Sequence, residues 1–284
     1  MTDTVGHLGA KGSYSHQAAS QFRPDGEFLS HASFEDLVNQ AEAGALDYIV
    51  LPIENSDSGR IPEVYRLLSR MELFLVAEIL LTINHCLVSC QTASLKSVKK
   101  ILSHPQGFIQ TSEFLRQNFA DTENVPNSDT ATAVKEAVEL NDPSVAGIGS
   151  EFAAEIYSGR ILHTNIANTE DNTTRFVVAS RNPSEDMANN MSSLLFQVSH
   201  VPGSLVKALE VFGKHGLNFT KLESYMISKV TSQPTFYIDV GRGSHDQRFV
   251  SAVEELREHA SFIKFLGSYR TDPRREEGLG FLVP

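Results

Sequence analysis

Residues 46–56 read LDYIVLPIENS, an apolar run that ends in a polar Glu-Asn-Ser triplet. The apolar part, 46–53, predicts a buried strand that Pro52 closes, because proline has no N–H to donate to a sheet ladder. The triplet then follows the carboxyl end of that strand, which is where ligands gather in open α/β sheets. A plain turn is the alternative for such a triplet. The stretch therefore predicts an α/β sheet and a place on it for chemistry.

The alternation of short strands with helices continues on both sides of this stretch, up to about residue 180. We predict helices at 61–71, after Pro105, at 130–140 and at 151–157, and further strands at 77–88, 99–103, 145–148 and 174–180. This order favours a mostly parallel sheet system of one or two sheets. If there are two lobes, the chain is expected to cross between them twice, near Leu80 and near His163.

A polar segment, RNPSEDMANN at 181–190, separates this part from a different pattern and is the best candidate for a linker. Beyond it we predict strands at 193–198, 217–222, 235–240 and 263–268, and helices at 204–215 and 247–259. The order β-α-β-β-α-β is that of the ferredoxin-like split unit. From Thr271 onward the sequence is polar and predicts a tail.

Composition narrows the class of protein. The 284 residues are 41% hydrophobic, which is enough for two packed domains. The formal net charge is −11, and the absence of a basic run argues against a nucleic-acid partner. No apolar stretch approaches the ~20 residues that span a bilayer, and the first ten residues lack a signal-peptide pattern. With two cysteines that predict reduced thiols, we expect a soluble, cytoplasmic protein without a membrane partner.

Two further segments place polar groups at a predicted helix start. The first, 9–16, has two glycines and the hydroxyls of Ser13 and Ser15, and suits a carboxylate cradle or an ordinary capped helix. The second is His104-Pro105-Gln106, in which the histidine is either a structural hydrogen-bonding group or an acid–base catalyst.

A fourth segment, 172–176, turns from a polar loop into an apolar strand. Its Arg175 is always charged and can hold a carboxylate through two parallel hydrogen bonds. A surface arginine beside a capping threonine is the alternative.

The sequence lacks the motifs of several other kinds of site. Glu170 and Asp171 do not have the spacing of a calcium loop, and Gly241-Arg-Gly243 does not extend to a dinucleotide fingerprint. There is no Gly-x-Ser-x-Gly elbow. We expect no metal and no cofactor.

Taken in order, these segments resemble the prephenate dehydratase family over the whole chain. The matching motifs lie at 12–16, 52–56, 104–106, 128–131, 148–157 and 174–176, the last being the family's Thr-Arg-Phe. The resemblance implies an α/β catalytic domain over 1–182, with two lobes like those of type II periplasmic binding proteins and an active site in the cleft between them. It also implies a regulatory domain over 191–271.

That second domain is similar to the ACT domain, an amino-acid-sensing module. The resemblance implies an effector site, with L-Phe as the expected ligand, and a homodimer or homotetramer with effector sites where these domains meet. The residues it assigns to the effector are Gly203, Ser204, Leu205, Val206, Asn218, Glu223 and Ser224. Two departures, Ser204 for alanine and Tyr225-Met226 for Arg-Pro, leave the identity of the effector and the direction of its effect open.

The implied reaction converts prephenate to phenylpyruvate by loss of carbon dioxide and water. The gain of an aromatic ring drives it, so the enzyme has only to help the hydroxyl leave while it holds two carboxylates. The resemblance gives Thr174 the donor role at the leaving hydroxyl, with neutral hydrogen bonds from Asn55 and Gln106. The residues expected to hold the substrate are Arg175, Phe176, Ser13, Ser15 and Ser56. Tight binding of the departing carboxylate by a cation would slow its loss, so that group is expected near Phe176.

Two alternatives stay open at this stage. Arogenate dehydratases carry out the same elimination on the amino analogue and share the motifs. A non-catalytic sensor would bind a ligand without turnover, but it has little reason to keep Thr174, Arg175 and Phe176 together. Glu54 is expected to be structural, because the reaction removes no proton from carbon.

Overall fold

The computed structural model describes residues 2–226 and 234–277, and this part of the chain forms three β-sheets. The strands are β1 (Thr4–Leu8), β2 (Glu27–His31), β3 (Tyr48–Asn55), β4 (Gly59–Arg60), β5 (Phe74–Thr82), β6 (Cys86–Ser89), β7 (Lys100–Ser103), β8 (Glu123–Pro126), β9 (Val145–Gly149), β10 (Arg160–His163), β11 (Thr173–Ser180), β12 (Met191–Val198), β13 (Phe219–Tyr225), β14 (Thr235–Val240) and β15 (Ala260–Tyr269). The helices are α1 (Tyr14–Phe22), α2 (Phe34–Glu42), α3 (Pro62–Arg70), α4 (Pro105–Gln110), α5 (Ser112–Asn118), α6 (Thr130–Glu139), α7 (Glu151–Ile156), α8 (Ser204–Lys214) and α9 (Gln247–Leu256). In the described residues, no helix is long and apolar enough to cross a membrane.

The first two sheets form two lobes. The first sheet has the strand order β2-β1-β3-β11-β5, with β4 paired to β3, and the second has the order β10-β6-β9-β7-β8. The chain passes between the lobes at 83–85 and again at 164–172. Hydrogen bonds from Ile83 N to Asn172 O (2.7 Å) and from Ile166 N to His85 O (3.0 Å) tie the two crossings together. The expectation of two lobes with two crossings matches this arrangement.

Three expectations about the strands were wrong. The predicted strand 77–88 is two strands, β5 and β6, because the chain leaves one buried sheet at Ile83 and enters another at Cys86, with only the short polar pair Asn84-His85 in between. The sheets are also mixed rather than mostly parallel. Each strand that follows a crossing runs against its neighbours, β6 against β9 and β10, and β11 against β3 and β5.

Pro52 does not close its strand, because β3 continues to Asn55. The proline is tolerated since β3 pairs with β1 only as far as Val50, so the missing N–H falls where that ladder has ended. On its other side β3 pairs with β11, and the register shifts between Arg175 and Phe176. A β-bulge therefore lies next to the end of the strand.

Helix starts face the gap between the lobes. Ser13 caps α1 by accepting from His16 N, and Asp129 caps α6 by accepting from Thr132 N. Such capping by short polar side chains fixes where each helix begins. These helix N-termini thus flank the same gap as the end of β3.

The third sheet, of order β13-β14-β12-β15, carries α8 and α9 on one face, in the predicted β-α-β-β-α-β order. Its other face packs on the first lobe, where one hydrophobic cluster contains Leu195, Tyr237 and Leu266 together with Leu51 and Leu75. A second cluster lies between this sheet and its own two helices.

The polar residues after Thr271 are not a free tail, contrary to the expectation. Asp272 accepts a hydrogen bond from Leu80 N (2.9 Å), and Arg275 donates to the Glu78 carboxylate from its Nη2 (2.5 Å). Polar groups of β5 therefore anchor this segment as far as Arg275. Residues 278–284 of the predicted tail lie outside the described part.

Candidate active site

A cavity of about 260 Å³ lies between the two lobes. Both lobes contribute lining residues: Tyr14, Ser15, Pro52, Asn55, Ser58, Ile61, Ile83, His85, His104, Gln106, Gly107, Gln110, Asp129, Thr130, Thr174 and Phe176. The mixture of an apolar wall with a few converging polar groups is typical of small-molecule sites.

Thr174 and Asn55 form the centre of the wall on the first lobe. They face each other across the ladder of β3 and β11, and Asn55 Nδ2 donates to Thr174 Oγ1 over 3.0 Å. Both side chains are nearly buried, at 7% exposure. Within the described residues, the Thr174 hydroxyl donates to no protein group. Its proton is therefore available to a ligand in the cavity.

The Asn55 amide is held by several further bonds. Its Nδ2 also donates to Asn172 Oδ1 (2.5 Å), and its Oδ1 accepts from the backbone N–H groups of Asp57 (3.1 Å) and Ser58 (3.0 Å). These acceptor contacts fix which way round the amide lies, since only the oxygen can receive them. The donor that reaches Thr174 is thus oriented in advance.

The β-bulge explains why both ends of the stretch 52–55 face the cavity. Pro52 and Asn55 are three residues apart, which strict alternation would place on opposite faces of the sheet. Because the register shifts by one residue here, Pro52 opposes Phe176 while Asn55 opposes Thr174. All four side chains consequently line the cavity.

The second lobe contributes Gln106 and His104. The His104 imidazole caps α4, with Nδ1 accepting from Gln106 N at 3.1 Å. The Gln106 side chain is half-buried, lines the cavity and makes no hydrogen bond to the described protein residues. The structure therefore gives His104 a structural bond and leaves Gln106 free for a ligand.

Sequence reasoning missed His85 and Tyr14. The Tyr14 hydroxyl lies 3.1 Å from His85 Nδ1, and His85 Nε2 lies 2.9 Å from Gln110 Oε1. Burial lowers the pKa of His85, so the imidazole is neutral at pH 7. The signal available in the sequence was the polar Asn84-His85 pair inside an otherwise apolar run.

Two serines that were expected to bind substrate have other partners. Ser13 Oγ donates to Leu8 O (3.1 Å) and accepts from His16 N (3.2 Å), and Ser56 Oγ accepts from Thr173 N (3.0 Å). Neither residue lines the cavity, because one caps a helix and the other holds the 171–173 loop. Ser15, one residue into α1, does line it.

Arg175 is not at the cavity, which corrects the expectation that it holds a substrate carboxylate. Its side chain is 1% exposed and lies on the opposite face of β11 from Thr174. There it donates to Glu78 Oε2 (2.7 Å) and Asp239 Oδ2 (2.6 Å). Although burial disfavours the charged form, Asp239 and the other neighbours hold the pKa of Arg175 well above its ordinary value. No lysine or arginine is among the lining residues described above.

The residues expected to bind the effector do not all line one cavity in this chain. Gly203, Ser204, Leu205 and Val206 line a separate cavity of about 410 Å³ at the start of α8. Asn218, Glu223 and Ser224 are outside its lining. Glu223 pairs instead with Lys221 (3.1 Å) and Arg60 (3.4 Å).

Tyr225, one of the two departures from the regulatory pattern, is buried at the contact between the third sheet and the first lobe. Its ring lies 5.4 Å from that of Tyr65 on α3, in an edge-to-face arrangement. The departure therefore adds an aromatic contact to this junction.

Comparison with known proteins gives consistent matches. The family model described as prephenate dehydratase matches residues 5–184. Bifunctional chorismate mutase/prephenate dehydratases of Enterobacter agglomerans and Escherichia coli K12 are each 36% identical, with 94% of this chain aligned to 70% and 71% of theirs. An Arabidopsis thaliana protein named arogenate dehydratase/prephenate dehydratase 2 is 34% identical over 94% of this chain and 73% of its own.

Two solved structures share the fold over nearly the whole chain. One, titled GqqA, a novel type of quorum quenching acylase, has a TM-score of 0.87 at 31% identity and covers 96% of this chain and 99% of its own. The other is the prephenate dehydratase of Arthrobacter aurescens in complex with L-Phe, with a TM-score of 0.85, 24% identity and coverage of 94% and 90%. At 24% identity the second match shows a shared fold and nothing further.

Proposed function

The chain belongs to the prephenate dehydratase family, and we propose that the cleft between its lobes is the place where it makes phenylpyruvate from prephenate. The activity itself is that of the family, an elimination in the biosynthesis of phenylalanine. The observation that supports the cleft is the Thr174 hydroxyl, which accepts from Asn55 and donates to no group among the described residues, so that its proton can serve a ligand.

The reaction requires a hydrogen-bond donor to the leaving hydroxyl and only weak contacts to the substrate carboxylates. The bond from the ring to its carboxylate breaks, the electron pair enters the ring, and the bond to the hydroxyl on the opposite carbon breaks. Carbon dioxide and hydroxide leave, and the hydroxide needs a proton to become water. A donor aimed at that oxygen lowers the barrier as negative charge develops on it.

Thr174 is the donor in this proposal. A threonine hydroxyl is a weak acid, so it acts by hydrogen bonding that strengthens in the transition state, with partial proton transfer. Asn55 assists by donating to Thr174 Oγ1, which makes that hydroxyl a better donor in turn. Gln106, on the opposite lobe, supplies a neutral hydrogen bond to the substrate.

The carboxylates are held without a cation. The N-terminal turn of α1 reaches the cavity at Ser15, and unpaired N–H groups at such a position favour anions. The absence of lysine and arginine from the described lining suits the departing carboxylate, because strong ground-state binding would slow its loss. Phe176 and Ile83 give it an apolar wall.

A threonine substitution with a matched control tests this site. We expect Thr174→Val to lower kcat by roughly 10²–10³-fold, the usual effect of losing one preorganised donor, while the protein stays folded. Thr173→Val makes the same change one residue away, where the hydroxyl donates to Asp171 O (3.2 Å) outside the cavity, and should retain most of the turnover. Phenylpyruvate absorbance in alkali measures both. Near-normal turnover by Thr174→Val would remove that residue from the mechanism.

Arogenate is the second candidate substrate, and Asp129 is the observation that favours it. This carboxylate lines the cavity and could pair with the amino group that arogenate has in place of the prephenate keto group. The Arabidopsis relative carries both activities in its name. Side-by-side measurement of kcat/KM for the two substrates decides between them.

The C-terminal unit is proposed to be an ACT domain that senses an amino acid, with L-Phe as the first ligand to test. Its fold order and the cavity at 203–206 support this, and L-Phe is present in the Arthrobacter aurescens structure. Because Asn218, Glu223 and Ser224 lie apart from that cavity, the full site is proposed to form between two copies, in a homodimer or homotetramer. A cytoplasmic location also stays a prediction.

A further inference from the structure

Strands β3 and β11 carry a second cross-strand pair directly beside Asn55 and Thr174. Glu54 opposes Arg175 in the ladder, one residue along from the pair at the cavity. Because side chains alternate along a strand, Asn55 and Thr174 face the cleft while Glu54 and Arg175 face the other way. That opposite face is covered by the third sheet.

The Arg175 guanidinium is enclosed by residues of both units. Besides Glu78 of the first lobe, it donates to Asp239 on β14 and to the Tyr269 hydroxyl on β15 (2.9 Å). The other oxygen of Asp239 accepts from the Tyr237 hydroxyl (2.6 Å). The side chains of Arg175, Glu78 and Asp239 are each at most 1% exposed. An ion network of this kind holds its geometry tightly, because breaking it leaves a buried charge unpaired.

Glu54 has a corresponding partner. The Lys221 ammonium on β13 makes an ion pair with Glu54 Oε1, and these two side chains are only 16% and 10% exposed. Arg60 on β4 extends the contact by donating from Nη1 to Ser224 O over 2.6 Å. The third sheet therefore contacts β3 and β11, the strands that carry the proposed catalytic groups, on the face opposite to the cleft.

We propose that Glu54 and Arg175 are positioning residues through which the C-terminal unit sets the geometry of Asn55 and Thr174. The inference rests on the proposed function of the cleft. Each positioning residue is the chain neighbour of a cleft residue, so a displacement of its side chain moves the same stretch of strand. Since a shift of about 1 Å at reacting groups can cost 10²-fold in rate, a small movement of β13 or β14 is enough to change turnover.

The same contacts give the proposed effector a route to the cleft. Lys221 precedes Glu223 and Ser224 on β13, the residues assigned to the effector from the family resemblance. A ligand that shifts this strand changes the Lys221 contact with Glu54 without touching the cleft.

Substitution of Lys221 tests the proposal in the intact protein. We expect Lys221→Met to lower kcat by roughly tenfold or more, with KM changed less than about twofold, because substrate contacts remain while the donor pair is misplaced. Lys221→Arg, which keeps the charge, should recover most of the rate. Lys214→Met is the matched control: its ammonium pairs with Glu255 on α9 (2.7 Å) and does not contact β3 or β11, so its kinetics should equal those of wild type.

A double-mutant cycle guards against a purely structural effect. Glu54→Gln should reproduce the fall in kcat, and the double variant Glu54→Gln/Lys221→Met should be no slower than the slower single variant, because both act through one contact. The proposal would be overturned by a double variant whose fall in kcat equals the product of the two single falls. It would also be overturned by a Lys221→Met enzyme with wild-type kcat. If wild type itself fails to convert prephenate, the proposed function has failed instead.

Discussion

Two histidines, His7 and His16, stack beneath the start of α1 with their ring centroids 4.7 Å apart. His16 Nδ1 accepts a hydrogen bond from Gly12 N over 3.0 Å, so that nitrogen carries no proton. Burial, helped by the proximity of His16 for His7 and by the charge of Lys11 for His16, lowers the pKa of each ring to about 4. The folded protein thus keeps both rings neutral.

The pair makes stability depend on pH below neutrality. In the unfolded chain both rings take up protons near their ordinary pKa of about 6.5, whereas the folded protein resists until about pH 4. The unfolded state then binds more protons, so the free energy of unfolding should fall as pH drops from about 6.5 toward 4. Urea unfolding at pH 7, 6 and 5 measures this. His16→Gln removes one titrating ring and should flatten the dependence; an equal slope in both proteins would contradict it.

The residue scale also shows what the sequence could and could not predict. The motif at 174–176 correctly directs attention to Thr174 and Phe176, which line the cavity. The same motif led to the wrong expectation that Arg175 binds substrate. Alternation along a strand already implies that Arg175, the middle residue of the three, faces away from the side on which Thr174 and Phe176 lie. What the sequence could not indicate is the partner on that other face, since Asp239 lies 64 residues further along the chain.

At the scale of elements, β15 packs against β5 at a glycine. Gly267 has a φ of +142°, and a Cβ there would lie 2.2 Å from Leu75 O and 2.6 Å from Leu75 N. Both contacts are with backbone atoms, so no side chain can move aside. This glycine sets how closely the third sheet approaches the first lobe.

Opposite effects are expected from two glycine substitutions. Gly267→Ala should destabilise the protein by about 1–3 kcal/mol or more, because a strained φ adds to the clash. Gly213→Ala, on the exposed side of α8 where a Cβ meets nothing within 4 Å, should stabilise it by about 1 kcal/mol through helix propensity. Thermal unfolding of both variants reports the difference. A Gly267→Ala protein as stable as wild type would mean that the two sheets can separate freely.

Strand order illustrates the limit of prediction at this scale. Apart from 77–88, the predicted strands and helices lie close to where the apolar patterns put them, with 235–240 matched residue for residue, whereas β1, β2 and α2 had no counterpart among the predictions. The insertion of β11 between β3 and β5 is beyond such patterns, because hydrophobic periodicity says nothing about which strands become neighbours.

At the scale of the whole molecule, the two units share a hydrophobic core. Tyr237, Leu266 and Tyr269 of the C-terminal unit are fully buried in the same cluster as Leu51 and Val177 of the first lobe. The polar composition of 181–190 predicts a linker between two domains. Its composition describes the connecting segment correctly but carries no information on the faces that the two units present to each other.

Cutting the chain at Asn190 should therefore do more than remove the proposed sensor. We expect a protein of residues 1–190 to expose the shared apolar face, unfold without a sharp transition and associate, since exposed patches of this kind are rarely stable in monomers. Coexpression of residues 191–284 as a separate chain should restore cooperative unfolding. Size-exclusion chromatography and thermal unfolding are the measurements. A monomeric 1–190 fragment with the thermal midpoint of the full chain would show that the shared core matters little.

The buried contact of Arg175 with Asp239 has a consequence for how such proteins diversify. A C-terminal unit taken from another protein would have to bring an acid to the place of Asp239 and a base to that of Lys221, or its host would be left with unmatched charges beneath β3 and β11. Recombination between relatives is thereby restricted to donors that already carry the matching pair, so the two halves of this chain are expected to be inherited together.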